Sequence, residues 1–136
     1  MGAWDVNAFG NDTACDWLYM LEEARDLSLV EETLDRVLNA GDEYIDASDA
    51  EEALVAIEVV ARLQGNWGER SSYSELADAW VEQSDIKPSA ALAKKAKQVI
   101  ARILSDPSEL KELWEESDEF TEWKDSVAEL DSRVRL

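Results

Sequence analysis

The sequence predicts an all-α protein, an irregular bundle of five to seven helices that forms a single domain over residues 1–136. Apolar residues recur three and four positions apart along most of the chain, whereas the alternation typical of β-strands is sustained nowhere. Hydrophobic residues make up 46% of the composition and include six tryptophans, which is too apolar for a disordered acidic chain. Residues that favour helix starts and ends punctuate the apolar stretches.

The N-terminal segment, residues 1–11, is predicted to be an irregular arm that carries Trp4 and Phe9. Asn11 or Asp12 then supplies a side-chain oxygen that can cap the first helix. The stripe expected to face the core from this helix is Ala14, Trp17, Leu18 and Leu21, with Cys15 beside it.

Two serine–glutamate pairs have the spacing of a capping box, in which each side chain satisfies a backbone N–H group at a helix start. Ser28 with Glu31 predicts the start of a second helix, and Ser48 with Glu51 that of a third. Gly41 and Gly65 are expected at their ends. The inward residues predicted for the third helix are Ala50, Ala53, Leu54, Ile57 and Ala61.

The second half of the chain continues this pattern after a loop at residues 65–72. A short helix from about Ser74 to Gln83 should pack Leu76 and Trp80, and Ser89 should introduce a fifth helix. The last helical region follows residues 106–107, with a break expected near residues 117–118. The predicted stripes are Leu92, Ala96, Val99, Ile100, Ile103 and Leu104, then Leu110, Leu113, Trp114, Phe120, Trp123, Val127, Leu130 and Val134.

The net charge of the chain limits the classes of partner that it is expected to bind. It has 13 basic and 32 acidic residues, a formal net charge of −19. Such a charge repels nucleic acid and anionic membranes, so neither is expected as a partner. It favours solubility and also fast encounter with a basic protein. No apolar run approaches the roughly 20 residues of a membrane span.

The residues needed for common catalytic sites are scarce. The sequence contains no histidine, the commonest general base and zinc ligand. Cys15 is the single cysteine, which excludes an internal disulfide, favours a reducing cytoplasm and is expected to pack in the core. The sequence therefore predicts no catalytic residue and no cofactor.

Two motifs at the ends of the chain are distinctive. They consist of Met1, Gly2, Ala3, Trp4, Phe9, Asn11, Asp12, Ala14, Asp16, Trp17 and Leu18, then Ser108–Trp114, Phe120, Trp123 and Arg133. Together they resemble a bacterial family of small acidic proteins, domain-of-unknown-function family 4259. Asp5 and Asn7 stand where this family usually has glycines in the arm. The resemblance implies a stand-alone bacterial helical domain and no particular catalytic residues.

Acidic residues near the arm suggest a weak metal site. Asp5, Asn7, Gly10 and Asp16 fall at positions 1, 3, 6 and 12 of a calcium-binding loop. Phe9 occupies a ligand position, however, and too few residues precede the loop to form an entering helix. Asp12 and Asp16 are better interpreted as carboxylates near a helix N-terminus.

Other carboxylates have helical spacing. Glu112, Glu116 and Glu119 could share one face, either for a partner or for a divalent metal. With 32 acids such spacings also arise by chance, and a solvated face is the simpler interpretation. Glu58 stands between apolar residues, and Arg62 one turn later predicts a structural ion pair.

The basic residues are concentrated in the fifth helix. Residues 87–104 contain five bases and no acid, so we expect them to meet acidic helices of the same chain or of a second copy. Among the tryptophans, Trp67 lies in the predicted loop and is the candidate for an exposed interface anchor.

The leading hypothesis is a non-enzymatic acidic module that binds a basic protein, as an immunity or antitoxin-type inhibitor does. Its interface candidates are Trp67, Glu112, Glu116 and Glu119, with charge from residues 42–52 and 109–125. One alternative is a carboxylate-based divalent-metal protein or enzyme using Asp12 and Asp16. Another is a homo-oligomeric structural protein.

Overall fold

The computed structural model describes residues 5–136, and over that range it confirms the predicted all-α class. Residues 5–10 are irregular, as expected for the arm, whereas Trp4 lies outside the described residues. No helix in the described part of the chain is long and apolar enough to cross a membrane. The helices are α1 (Asp12–Glu22), α2 (Ser28–Leu38), α3 (Ala47–Leu63), α4 (Glu75–Gln83), α5 (Ala90–Ile103), α6 (Glu109–Glu115) and α7 (Phe120–Arg133).

Helix α3 forms the centre of the bundle and packs against each of the other six helices. Every residue from Ala53 to Leu63 is buried, including Val55 and Val59, which lie outside the predicted stripe. A helix that is apolar on all sides is typically surrounded by other helices. The expectation of a one-sided stripe was therefore too narrow for this helix.

The start of α1 matches the sequence prediction. The Asn11 side chain accepts a hydrogen bond from the Ala14 amide at 2.7 Å. Trp17 is fully buried, and its indole N–H donates to the Thr33 hydroxyl of α2 at 2.9 Å. Cys15 departs from the prediction because it is only partly buried, on the edge of the helix rather than in the core.

Both predicted capping boxes were wrong. Ser28 is already the first residue of α2, and its amide donates to the Asp26 carboxylate at 2.9 Å. Helix α3 begins at Ala47, one residue before the predicted cap Ser48. Asp26 lies two residues before the helix, and its carboxylate satisfies the first helical amide, whereas the N-cap residue Leu27 makes no side-chain cap.

The second half of the chain follows the prediction closely. The Ser89 hydroxyl caps α5 by accepting from the Leu92 amide at 3.0 Å. The expected break separates α6 from α7, and Trp114 stacks on Trp123 across it with ring centroids 6.2 Å apart. In α4 the inward residues are Ala77, Asp78 and Val81, whereas Leu76 and Trp80 are only partly buried.

Candidate protein-interaction face

The two most acidic stretches of the sequence lie side by side. A parallel bridge joins Ile45 to Ser108, with the Glu109 amide donating to the Ile45 carbonyl at 3.0 Å. The Glu109 carboxylate also accepts from the Ala47 amide at 2.7 Å, so it caps α3 from a distant segment. We call residues 42–52 and 109–125 the acidic face. They contain 14 acids and two bases, a formal charge of −12.

Tyr44 is the exposed aromatic residue of the acidic face, with 51% of its surface accessible. Partial burial raises the pKa of its phenol, and hydrogen bonding to Glu112 raises it further. The carboxylates of Glu112, Glu109 and Asp46 add to this effect. The ring therefore lies among several negative charges while much of it remains open to solvent.

Within this face, Glu51 lies in the first half of α3, close to carboxylates of two other helices. Glu51 is partly buried, and burial is the main reason that its pKa is raised. The nearby carboxylates of Glu109 and Asp12 raise it as well, whereas a hydrogen bond with the Thr13 side chain lowers it. These electrostatic contacts link α1, α3 and α6 into one negatively charged surface.

The predicted interface carboxylates are all exposed but do not share one helical face. Glu112 lies on α6, Glu116 occupies the position just after α6 and Glu119 the position just before α7. The break between the two helices turns the chain, so spacing along a continuous helix does not apply to them. They remain part of the acidic face.

Trp67 does not lie on the acidic face. Its ring is partly buried against the core, with the Arg70 guanidinium 4.6 Å and the Arg62 guanidinium 5.8 Å from its centroid. The Trp67 ring therefore makes contacts with residues of its own chain. That Tyr44 is more exposed than Trp67 could not be predicted from the sequence, because the pairing of residues 45 and 108 is a tertiary contact.

The arm forms turns through the residues that resembled a calcium loop. The Asn7 side chain accepts from the Phe9 amide at 2.9 Å, and the Asp5 side chain accepts from the Asn7 amide at 3.4 Å. Asp12 and Asp16 lie exposed, one turn apart on α1. Within residues 5–136, no group of three or more acidic or cysteine side chains is arranged to hold a metal ion.

A buried ionic network lies on the opposite end of α3. Glu58 bonds Arg62, as predicted, and Arg62 also donates to Asp78 of α4 at 2.8 Å. The Arg133 side chain of α7 reaches the second oxygen of Glu58. The Phe9 ring lies 5.1 Å from the Arg62 guanidinium, so the network also holds the arm.

Glu58 and Arg133 of the network line a cleft of about 340 Å³. Burial opposes the charge of Arg133, but hydrogen bonds to Glu129 and Glu58 raise its pKa overall. Both oxygens of Glu58 and both of Glu129 are engaged by arginines. A Cβ atom at Gly68 would come within 2.6 Å of the Arg133 guanidinium. These groups are therefore committed to holding α3, α4 and α7 together.

The basic residues of α5 pair within the same chain. Lys95 bonds Asp35 of α2 at 2.7 Å, and Lys97 bonds Asp131 of α7 at 3.2 Å. Arg102 donates to four backbone carbonyl oxygens, two of them in the loop after α2. The prediction that these bases meet the protein's own acidic helices is confirmed for Lys95 and Lys97.

Comparison with known proteins identifies a family without an assigned activity. The model of the family described as Domain of unknown function (DUF4259) matches residues 2–126. No match was found among curated proteins or among solved structures. The family match covers most of the chain and agrees with the resemblance of its two end motifs. The chain therefore belongs to the DUF4259 family.

Proposed function

We propose that this protein is a non-enzymatic acidic module of the bacterial cytoplasm that binds a basic protein, in the manner of an immunity or antitoxin-type inhibitor. The observation that carries the proposal is the acidic face, where two acidic segments meet around the exposed ring of Tyr44. Charge of one sign on a surface speeds encounter with an oppositely charged partner. The exposed aromatic side chain of Tyr44 among these carboxylates supplies the contact that slows dissociation.

The available reactive groups favour binding over catalysis. Burial raises the pKa of the Cys15 thiol, and Asp12 and Asp16 raise it further. A reactive cysteine needs the opposite shift, since the thiolate is the nucleophile. The arginines and carboxylates of the buried network are engaged with one another. Neither set therefore supports an acid–base or nucleophilic mechanism.

Affinity capture from the source cell's lysate at low and moderate salt tests the proposal. The bait would be the wild-type protein, a face variant with Tyr44→Ser and Glu112→Gln, and a control with Glu32→Gln and an otherwise intact surface. We expect one basic protein to be retained at both salt concentrations by the wild type and the control. Its affinity for the face variant should fall by at least about 30-fold, as expected for a central anchor.

Two results would contradict the proposal. Retention of many basic proteins that are all lost together at moderate salt would indicate nonspecific attraction to a polyanion. Equal retention of one partner by the face variant and the wild type would place binding elsewhere on the protein. Circular dichroism and urea unfolding would establish that each variant is folded.

A further inference from the structure

The outward side of α1 carries an apolar pair that the core does not use. Ala14, Trp17, Leu18 and Leu21 face the core. On the opposite side, Tyr19 and Met20 are 63% and 47% exposed. Scattered apolar residues are normal on protein surfaces. Here two large side chains at consecutive positions of one short helix, about 100° apart around its axis, both face solvent.

Carboxylates surround this pair. Asp12 and Asp16 precede it on the same side of the helix, and Glu22 and Glu23 follow it, all of them exposed. No lysine or arginine lies in α1. The apolar pair is thus bordered by charged side chains, and protein interfaces likewise combine an apolar centre with a polar rim.

The α1 surface is continuous with the acidic face. Helix α1 packs against α3, which carries Glu51, and Asp12 and Thr13 at the start of α1 lie near enough to Glu51 to shift its pKa. Met20 lies two turns beyond Thr13 on the same edge of the helix. A partner seated on Tyr44 and Glu51 could therefore extend along α1 to Tyr19 and Met20.

We propose that the outward side of α1 is the apolar part of the docking surface and that it takes a cationic amphipathic helix of the partner protein. This inference rests on the proposed function. Charge complementarity selects the occupant: apolar residues on one side of the helix would cover Tyr19 and Met20, and lysine or arginine on its flanks would meet the carboxylates. The 11 residues of α1 offer about 16 Å of contact length, roughly three helical turns.

A second copy of this chain fits the surface less well. Its basic helix, α5, turns its large apolar residues into the core. The exposed residues of α5 are Ala90, Ala91, Lys94, Gln98 and Ala101, which offer little apolar contact. Each copy also carries a net charge of −19, so association must overcome mutual repulsion.

Two synthetic peptides test this inference. One is a helix-forming peptide of leucine and lysine with all leucines on one face, and the other has the same composition in an order that gives no apolar face. Titration calorimetry would measure binding of both to the wild type and to a Tyr19→Ser, Met20→Ser variant. We expect the wild type to bind the amphipathic peptide about tenfold more tightly. The variant should lose this preference and keep its affinity for the scrambled peptide.

A second variant, Glu112→Gln with Glu116→Gln, separates this inference from the proposed function. It should weaken both peptides together while the preference for the amphipathic one remains. If the Tyr19→Ser, Met20→Ser variant retained the preference, α1 would not be the docking surface, whether or not the acidic face binds. If the Glu112→Gln, Glu116→Gln variant bound both peptides as tightly as the wild type, the acidic face would not be the binding surface and the proposed function would be contradicted. Light scattering that showed a dimer lost in the α1 variant would identify a second copy as the occupant and overturn the inference.

Discussion

At the scale of single residues, Arg62 shows how a charge is kept inside the bundle. Its side chain is 1% exposed and is surrounded by Glu58, Asp78 and the Glu69 carbonyl. Burying an ion costs several kcal/mol, and this cost is offset only when its partners are complete. Removing a carboxylate of the network should therefore lower the free energy of unfolding much more than removing a carboxylate of a surface ion pair.

Replacing Asp78 tests this difference. Asp78→Ala leaves Arg62 with an unpaired donor in the core, and we expect it to lower the free energy of unfolding by about 3–5 kcal/mol. Glu82→Ala on the same helix removes the half-exposed partner of Arg70 and should cost less than about 1 kcal/mol. Urea unfolding measures both, and equal losses would show that the buried network does not stabilise the fold.

Glu51 provides a prediction about pH. Its raised pKa means that the native state holds the proton more tightly than the unfolded chain does. Its contribution is therefore fully present below its ordinary pKa of 4.5 and is lost as the pH rises through the raised value. Glu51→Gln should stabilise the protein at pH 7, and this gain should disappear below pH 4.5.

Glu52→Gln is the matched control for this prediction, because it removes the same charge from the neighbouring position. Glu52 forms an ion pair with Arg36 at 2.8 Å, so its replacement loses an attraction instead of a repulsion. Urea midpoints measured across pH should place the Glu51 variant above the Glu52 variant at pH 7. The reverse order would contradict the assignment of Glu51.

Among these ionic and aromatic contacts, only those between residues close together in the sequence could be predicted from it. Glu58 and Arg62 are one helical turn apart, and that spacing was sufficient to predict their ion pair. Asp78 and Arg133 lie 16 and 71 residues from Arg62, and no local pattern marks them. Tyr44 was missed for the same reason, since its neighbour Glu112 comes from another segment.

At the scale of helices, apolar spacing was a better guide than capping motifs. The stripes of α5 and α7 were predicted nearly residue by residue, because burial against neighbouring helices determines them. Caps depend on single hydrogen bonds, for which several side chains compete. At the start of α3 the capping side chain is not that of Ser48. It is that of Glu109, which accepts from the Ala47 amide although the two residues are 62 positions apart.

The cap at the start of α3 can be tested directly. Glu109→Ala removes the acceptor for the Ala47 amide and a tie between α6 and α3, so we expect a loss of about 0.5–2 kcal/mol in the free energy of unfolding. Ser48→Ala should change it by less than about 0.5 kcal/mol, because Ser48 makes no capping bond. A larger loss for Ser48→Ala in urea unfolding would restore the capping box that the structure contradicts.

At the scale of the whole molecule, the unusual property is unbalanced charge. Nine of the 32 carboxylates form ion pairs with lysine or arginine among residues 5–136. Most of the others are exposed and repel one another. Folding therefore concentrates negative charge that the unfolded chain would spread over a larger volume. A basic partner would relieve this repulsion, which connects the stability of the fold with the proposed function.

The salt dependence of stability follows from this charge. Raising NaCl from about 10 mM to 1 M shortens the screening length from about 30 Å to about 3 Å and should weaken the repulsion. We expect the urea midpoint to rise over this range. Replacing Glu112, Glu116 and Glu119 by glutamine should raise the midpoint at low salt and reduce its dependence on NaCl. A midpoint that fell with added salt would show that the ion pairs outweigh the repulsion. An unchanged salt dependence in the triple variant would show that the repulsion does not arise at the acidic face. A partner bound there would then have no repulsion to relieve.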